Sequence, residues 1–365
     1  MHLTELEILN LWGKDKISLS FKNNVTFLTG INGTGKSTIL NIIYDTLNLK
    51  PEKGMPSTSK YRFWSSKASF DNDVHATSLL LPNDNGTKEH QEIEKVVSEN
   101  ESLHDLNVIN KFKDIYCEDS KSNVFNNIHY SNDLKGEITL KELHIPVEIR
   151  DELTSEYGKG FFERPMAFLF QEDRSTLHNV EKSNIDFSLH YWNLYRSSID
   201  DRFAYLRDGV QIYESHINQA ARAYLEGEDI SVDEIEEIKR KSSEIRNVIL
   251  KLNSYLSESH KEVVRDEDNK ITLREIGSDE PISWHLLSRG EKTLLYIFFV
   301  VFLYRSKVRV FLFDEPEISL HVKWQRNLIK DLSELAPNNQ FIIATHSPSL
   351  VQKGWLPNCL ELTKG

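Results

Sequence analysis

Gly30-Ile31-Asn32-Gly33-Thr34-Gly35-Lys36-Ser37-Thr38 is a glycine-rich stretch ending in a lysine and two hydroxyls, and its flanks decide how it is read. The apolar run Val25-Thr26-Phe27-Leu28-Thr29 precedes it, and Thr38 to Leu47 (TILNIIYDTL) follows with the composition of a helix. A strand that feeds a glycine-rich turn opening a helix predicts a P-loop. The glycines let backbone N–H groups curl around phosphate oxygens, and the helix N-terminus adds its positive dipole end. Asn32, Gly33, Thr34, Gly35, Lys36, Ser37 and Thr38 are then the nucleotide-binding candidates. Lys36 reaches the β and γ oxygens of ATP, and Ser37 is placed to ligate Mg²⁺.

Outward toward the C-terminus, Val308-Arg-Val-Phe-Leu-Phe313-Asp314-Glu315-Pro316 is an apolar strand that ends in two carboxylates. Burying charge at the tip of such a strand is costly unless a cation or substrate compensates it. Asp314 is the candidate for holding Mg²⁺, and Glu315 for polarising an attacking water as general base. Between the two motifs lies Leu287-Ser288-Arg289-Gly290-Glu291-Lys292, which opens the apolar run Leu294–Tyr304. Alone, this is a serine-capped helix start with Glu291 at the third helical position. The same geometry makes an anion site from Ser288 and free backbone donors.

The rest of the chain supplies the scaffold. Residues 1–29 alternate apolar and polar in short strands, and from Pro51 to about Arg164 the composition turns to Ser, Asn and Asp, with β-like runs YRFWSSKASF, ATSLLLP, EIEKVV and GEITLKEL. This predicts an antiparallel lobe over 51–160 with long loops. Ile199, Phe203, Leu206, Val210, Tyr213, Ile217, Ala220 and Tyr224 stand alternately four and three apart, the spacing of a heptad seam. Ser231-Val-Asp-Glu234 then carries a capping-box pattern for a second helix. An antiparallel helical hairpin over 176–259 follows, reaching about 40 Å at a rise of about 1.5 Å per residue. From Ile271 onward strands alternate with helices, which implies a mostly parallel sheet.

Composition narrows the function classes. A formal net charge of −12 repels nucleic acid and anionic membranes, so DNA contact needs a local basic patch, with Lys60, Arg62 and Lys67 the best candidate. The two cysteines, Cys117 and Cys359, lack metal or redox spacing. Leu294–Tyr304 is too short to span a membrane, and MHLTELEILNLW has no secretion pattern, so a cytoplasmic location is expected.

In order, the chain carries the P-loop, a Gln-bearing strand (FLFQEDR), LSRGEKT, FLFDEPE followed by SLH, and ATHSP. Together these resemble the ABC-type ATPase heads of the SMC, Rad50, RecF and OLD group, over residues 1–50, 161–175 and 271–365. The resemblance implies an α/β fold: an ABC-type P-loop NTPase head (1–175 and 260–365) with a mixed or parallel core sheet, the antiparallel β-lobe, and the short helical-hairpin (coiled-coil) insertion. It implies that Gln171 senses the γ-phosphate and shares the Mg²⁺ site. It further implies that Ser288, Gly290 and Glu291 form a signature turn binding ATP held by an opposite protomer, that Glu317 to His321 lie at the dimer seam, and that His346 contacts the γ-phosphate. Related heads often carry an aromatic-arginine pair near the first turn, where this chain has Asn10-Leu-Trp12-Gly13, so no adenine contact is assigned there.

The cofactors implied are ATP and Mg²⁺, and the first partner is a second copy in an ATP-sandwiched homodimer or a higher oligomer. The phrasing LSxGEKxLL, DEPExxLH and THSP is closest to OLD-like AAA ATPases of Septu-type and PARIS-type anti-phage systems. Ser347–Gly365 is too short for a Toprim or HNH module, so a separate effector, a nuclease, is expected. The alternatives are a repair ATPase that clamps DNA and, with a signature unlike LSGGQ against it, a transporter subunit.

Overall fold

The computed structural model describes residues 1–11, 14–48, 65–82, 122–132, 137–157, 165–171, 198–226, 231–352 and 354–362. The chain opens with β1 (Leu3–Leu11) and β2 (Lys14–Ser20), paired antiparallel, and then β3 (Val25–Thr29) runs through the P-loop into α1 (Lys36–Leu47). β4 (Ser65–Phe70), β5 (His75–Pro82), β6 (Ser122–Asn132) and β7 (Glu137–Pro146) follow, then α2 (Val147–Tyr157) and β8 (Ala167–Gln171). Two long helices, α3 (Ser198–Leu225) and α4 (Val232–Leu256), lead to the hairpin of β9 (Lys261–Arg265) and β10 (Ile271–Glu275). The last third holds α5 (Arg289–Tyr304), β11 (Val310–Asp314), α6 (Val322–Leu335), β12 (Gln340–Ala344), α7 (Pro348–Val351) and β13 (Cys359–Glu361).

One sheet is parallel throughout, in the order β13-β3-β12-β11-β8. Because successive strand residues face opposite sides, its two faces build two cores. Phe311, Phe313, Phe341 and Ile343 pack into one core with α3 to α6. Val310, Leu312, Ile342 and Ala344 pack into the other, with α1 and the antiparallel sheet. That second sheet runs β2-β1-β4-β5-β7-β6. It therefore begins at Leu3, ahead of the 51–160 lobe read from the sequence, because Leu6 and Ile8 of β1 bury their side chains in the same core as Ala68 and Ala76. EIEKVV, Lys60 and Arg62 lie outside the described residues.

The apolar run at 294–304 forms the buried centre of α5, with Glu291 through Phe302 all buried. This helix changes the reading of the heptad seam. Ile199, Phe203, Leu206 and Val210 are buried in one core with the α5 side chains and with Val248 and Leu252 of α4, whereas Tyr224 near the far end of α3 is exposed. A helix that is apolar all round must be covered on every side, so the base of the hairpin is part of the head. The predicted capping box is present: the Ser231 side chain accepts from Glu234 N–H, and Glu234 accepts from Ser231 N–H. Among the described residues no helix is long and apolar enough to cross a membrane.

Candidate functional site

Parallel strands bring their C-terminal ends to one edge, where open α/β sheets bind ligands. At this edge β3 delivers the P-loop, β8 ends in Gln171, β11 in Asp314, and β12 leads into Thr345 and His346. The register sets Asp314 beside Gln171 on one side and Ala344 on the other. Glu315 N–H donates to the Ala344 carbonyl at 2.8 Å, fixing the turn after the strand.

The side chains converge accordingly. Ser37 Oγ donates to Asp314 Oδ1 at 3.0 Å, and Gln171 Nε2 donates to Asp314 Oδ2 at 3.2 Å. Burial raises the Asp314 carboxyl above its ordinary value, with the Glu315 charge adding to the rise and the bonds from Ser37 and Gln171 opposing it. Hard oxygen donors around a desolvated carboxylate are the set that suits Mg²⁺, so Ser37, Asp314 and Gln171 fit that ion. His346 Nε2 stands 3.6 Å from Glu315 Oε1, and both side chains are partly open to solvent. Glu315 has φ 48, the left-handed region that a non-glycine residue enters at a cost of about 1–2 kcal/mol. Strain of this kind gathers where function requires a side chain to be aimed.

The P-loop shows the backbone that its glycines permit. Gly33 (φ 80) and Gly35 (φ 91) are left-handed. Gly30 has no room for a side chain, because a Cβ there would lie 2.6 Å from the Leu362 carbonyl oxygen. Thr34 Oγ1 donates to the Ile31 carbonyl, closing the turn, while Asn32, Gly33 and Ser37 are exposed and Thr38 is half-buried. Lys36 is buried and donates from Nζ to the carbonyls of Gly30 at 3.1 Å and Ile31 at 3.3 Å. Burial holds its ammonium below the ordinary lysine range, opposed by the charges of Glu315, Asp314 and Glu317. The ammonium thus folds back onto its own loop while facing three carboxylates.

The Ser288 turn is placed by a separate set of contacts. Ser288 caps α5, accepting from Glu291 N–H, and Glu291 Oε2 accepts from Ser288 N–H at 2.8 Å. Glu291 Oε1 pairs with Lys261 Nζ at 2.7 Å. The Glu291 carboxylate is thus buried and engaged on both oxygens by its own chain. Ser288 itself is exposed. Gly290 is required by contact: a Cβ would lie 2.4 Å from the Ser319 carbonyl oxygen. Lys292 Nζ bonds Asp200 of α3 at 2.6 Å.

A family model described as "AAA domain, putative AbiEii toxin, Type IV TA system" matches residues 25–352. The chain belongs to this family. It is an ATP-binding P-loop ATPase of the AAA type, and the matched span contains every strand end that converges on the site. Two relatives are similar along most of the chain. "Retron Vc95 probable ATPase" of Vibrio cholerae serotype O1 biovar El Tor is 26% identical, covering 90% of this chain and 67% of its own length. "Retron Ec83 probable ATPase" of Escherichia coli is 23% identical, covering 96% and 69%. Among solved structures, the SmcHead bound to the C-winged helix domain of ScpA matches with a TM-score of 0.47 and 14% identity, covering 100% of this chain and 95% of that one.

Two residues of this family member's site carry no local signal in the sequence. Arg202 of α3 donates from Nη1 to the Gln171 carbonyl, and its guanidinium lies 5.8 Å from the Phe170 ring centroid. Lys261 reaches Glu291 from the β9 hairpin. Glu317, expected at a dimer seam, is buried against its own chain's 345–347 segment. Its carboxylate needs donors once it leaves water, and that segment supplies them.

Proposed function

We propose that this ATPase is a nucleotide-controlled switch in which two copies close around two ATP molecules and hydrolysis opens them again. The observation that carries the reading is the division of the motifs. Lys36, Ser37, Gln171, Asp314, Glu315 and His346 gather at one sheet edge, while exposed Ser288 caps a helix that passes close to the Ser319 carbonyl at Gly290 and is tied by Lys261 and Asp200. A site in two halves is completed by a second copy related by a two-fold axis.

Within each composite site Lys36 leaves the Gly30 and Ile31 carbonyls for the β and γ phosphate oxygens. Ser37, Asp314 and Gln171 would hold a magnesium ion, which when bound would neutralise charge developing on the phosphates. Glu315 takes the proton of the attacking water, a role typically contributing about 10²–10⁴ in rate. His346 donates a hydrogen bond toward the γ-phosphate, and Ser288 of the second copy approaches it from the opposite side. Closure of the dimer is the conformational signal.

The signal governs a separate effector, a nuclease, in cytoplasmic anti-phage defence of the OLD-like kind. The names of the two retron relatives support a place in such a system, and the net charge of −12 disfavours a clamp on duplex DNA. The test has two arms. Glu315→Gln protein with ATP should sediment as a dimer, whereas Lys36→Ala protein should not respond to ATP. Purification from the native operon followed by mass spectrometry should recover the effector with the Glu315→Gln protein. Sedimentation of Glu315→Gln as a monomer at saturating ATP rules the switch out, and tight, steeply salt-dependent binding of plain duplex DNA would favour the clamp instead.

A further inference from the structure

Glu317 stands two residues beyond Glu315, has 7% of its surface exposed, and takes no part in the steps above. One of its oxygens, Oε1, accepts three hydrogen bonds from the segment after β12: Thr345 Oγ1 at 2.5 Å, His346 N at 3.1 Å and Ser347 N at 3.2 Å. The other oxygen, Oε2, has no hydrogen-bond partner among the described residues. Gln325 of α6 locks the same two segments from the far side. Its Nε2 donates to the carbonyls of Glu317 at 3.3 Å and Leu320 at 2.9 Å, while its Oε1 accepts from Ser347 Oγ at 2.6 Å.

A buried carboxylate is retained against its desolvation only where donors repay it. Here the three donors that converge on Oε1 all belong to the turn that carries His346. We propose that Glu317 is a positioning residue for His346, fixing the backbone of residues 345–347 so that the imidazole stays beside Glu315 in the geometry hydrolysis requires. What this task requires is an acceptor oxygen at the Oε1 position, where all three bonds converge. The inference rests on the reading of His346 as a γ-phosphate contact.

The test is a double-mutant cycle on steady-state hydrolysis in the full chain. Glu317→Ala should lower kcat about tenfold or more while KM for ATP stays within about threefold, as befits an interaction used in the transition state. Glu317→Gln, which keeps an acceptor oxygen and puts its NH₂ where Oε2 has no partner, should recover most of the rate. In a His346→Ala background Glu317→Ala should add less than about a twofold loss. If the Ala variant does not fold, Thr345→Val removes only the shortest of the three bonds and allows the same comparison. Full multiplication of the two losses, or a Gln variant as slow as the Ala variant, overturns the proposal. Should His346→Ala alone hydrolyse ATP at the wild-type rate, the underlying reading of His346 fails, a result visible without any change at Glu317.

Discussion

Gly290→Ala sets two effects of known size against each other. Gly290 lies in the first turn of α5, where alanine is favoured over glycine by at most about 1 kcal/mol of helix propensity. The new Cβ would lie 2.4 Å from the Ser319 carbonyl oxygen and 3.9 Å from Trp324 Cζ3. Ordinary carbon–oxygen contact begins near 3.3 Å, so backbone must move by roughly 1 Å, and such overpacking costs about 1–3 kcal/mol. The segment that must move is the one Gln325 ties at Glu317 and Leu320, which leaves little slack. The net expectation is a loss of up to about 2 kcal/mol, opposite in sign to the propensity gain. Urea unfolding at equilibrium measures it, and hydrolysis should fall as well, since the Ser288 turn shifts with α5. A variant that is more stable by about 1 kcal/mol and hydrolyses ATP normally would refute the close approach and the reason given for glycine here.

Lys36→Ala should abolish binding of a fluorescent ATP analogue, because it removes the ammonium that folds onto the Gly30 and Ile31 carbonyls of the loop. Asp314→Asn should stop hydrolysis yet stabilise the nucleotide-free protein. Burial raises the Asp314 carboxyl, so the folded chain binds this proton more tightly than the unfolded chain, and the group's contribution to stability falls as pH rises above the ordinary carboxylate value. The gain from Asn should therefore grow as pH rises from below the ordinary carboxylate value in thermal melts, and a gain that shrinks over that rise would contradict the sign. Phe203→Ala should cost about 3–5 kcal/mol in urea unfolding, because Phe203 is fully buried in the core beneath α5, whereas a free coiled-coil seam would lose less.

The parallel sheet and its ligand edge were legible because the motifs carry their own local punctuation. An apolar strand, a glycine turn and a helix in succession can be read without knowing any partner, and so can Ser288 with Glu291 three residues on. What escaped the sequence reading depends on partners far along the chain. The stripe from Ile199 to Val210 has helical spacing whichever surface it meets, so only the fold shows that α5 lies beneath it. β1 joins the antiparallel sheet through β4, a pairing that no local pattern announces. Glu291 carries the spacing of a cap, but its second partner, Lys261, comes from thirty residues earlier and has no local signal. Arg202 reaches Gln171 across a similar separation and left no signal at all.

The account depends on each nucleotide being gripped by two chains, and mixing two inactive variants tests this directly. Lys36→Ala removes the phosphate-binding half of a site and Ser288→Arg the opposite half. Each alone should be inactive. A heterodimer of the two carries one intact site of two, so hydrolysis in an equimolar mixture should return, to at most about half of the wild-type rate. Continued silence of the mixture, with both proteins folded, or full activity of the Ser288→Arg protein by itself, would contradict a site shared between subunits.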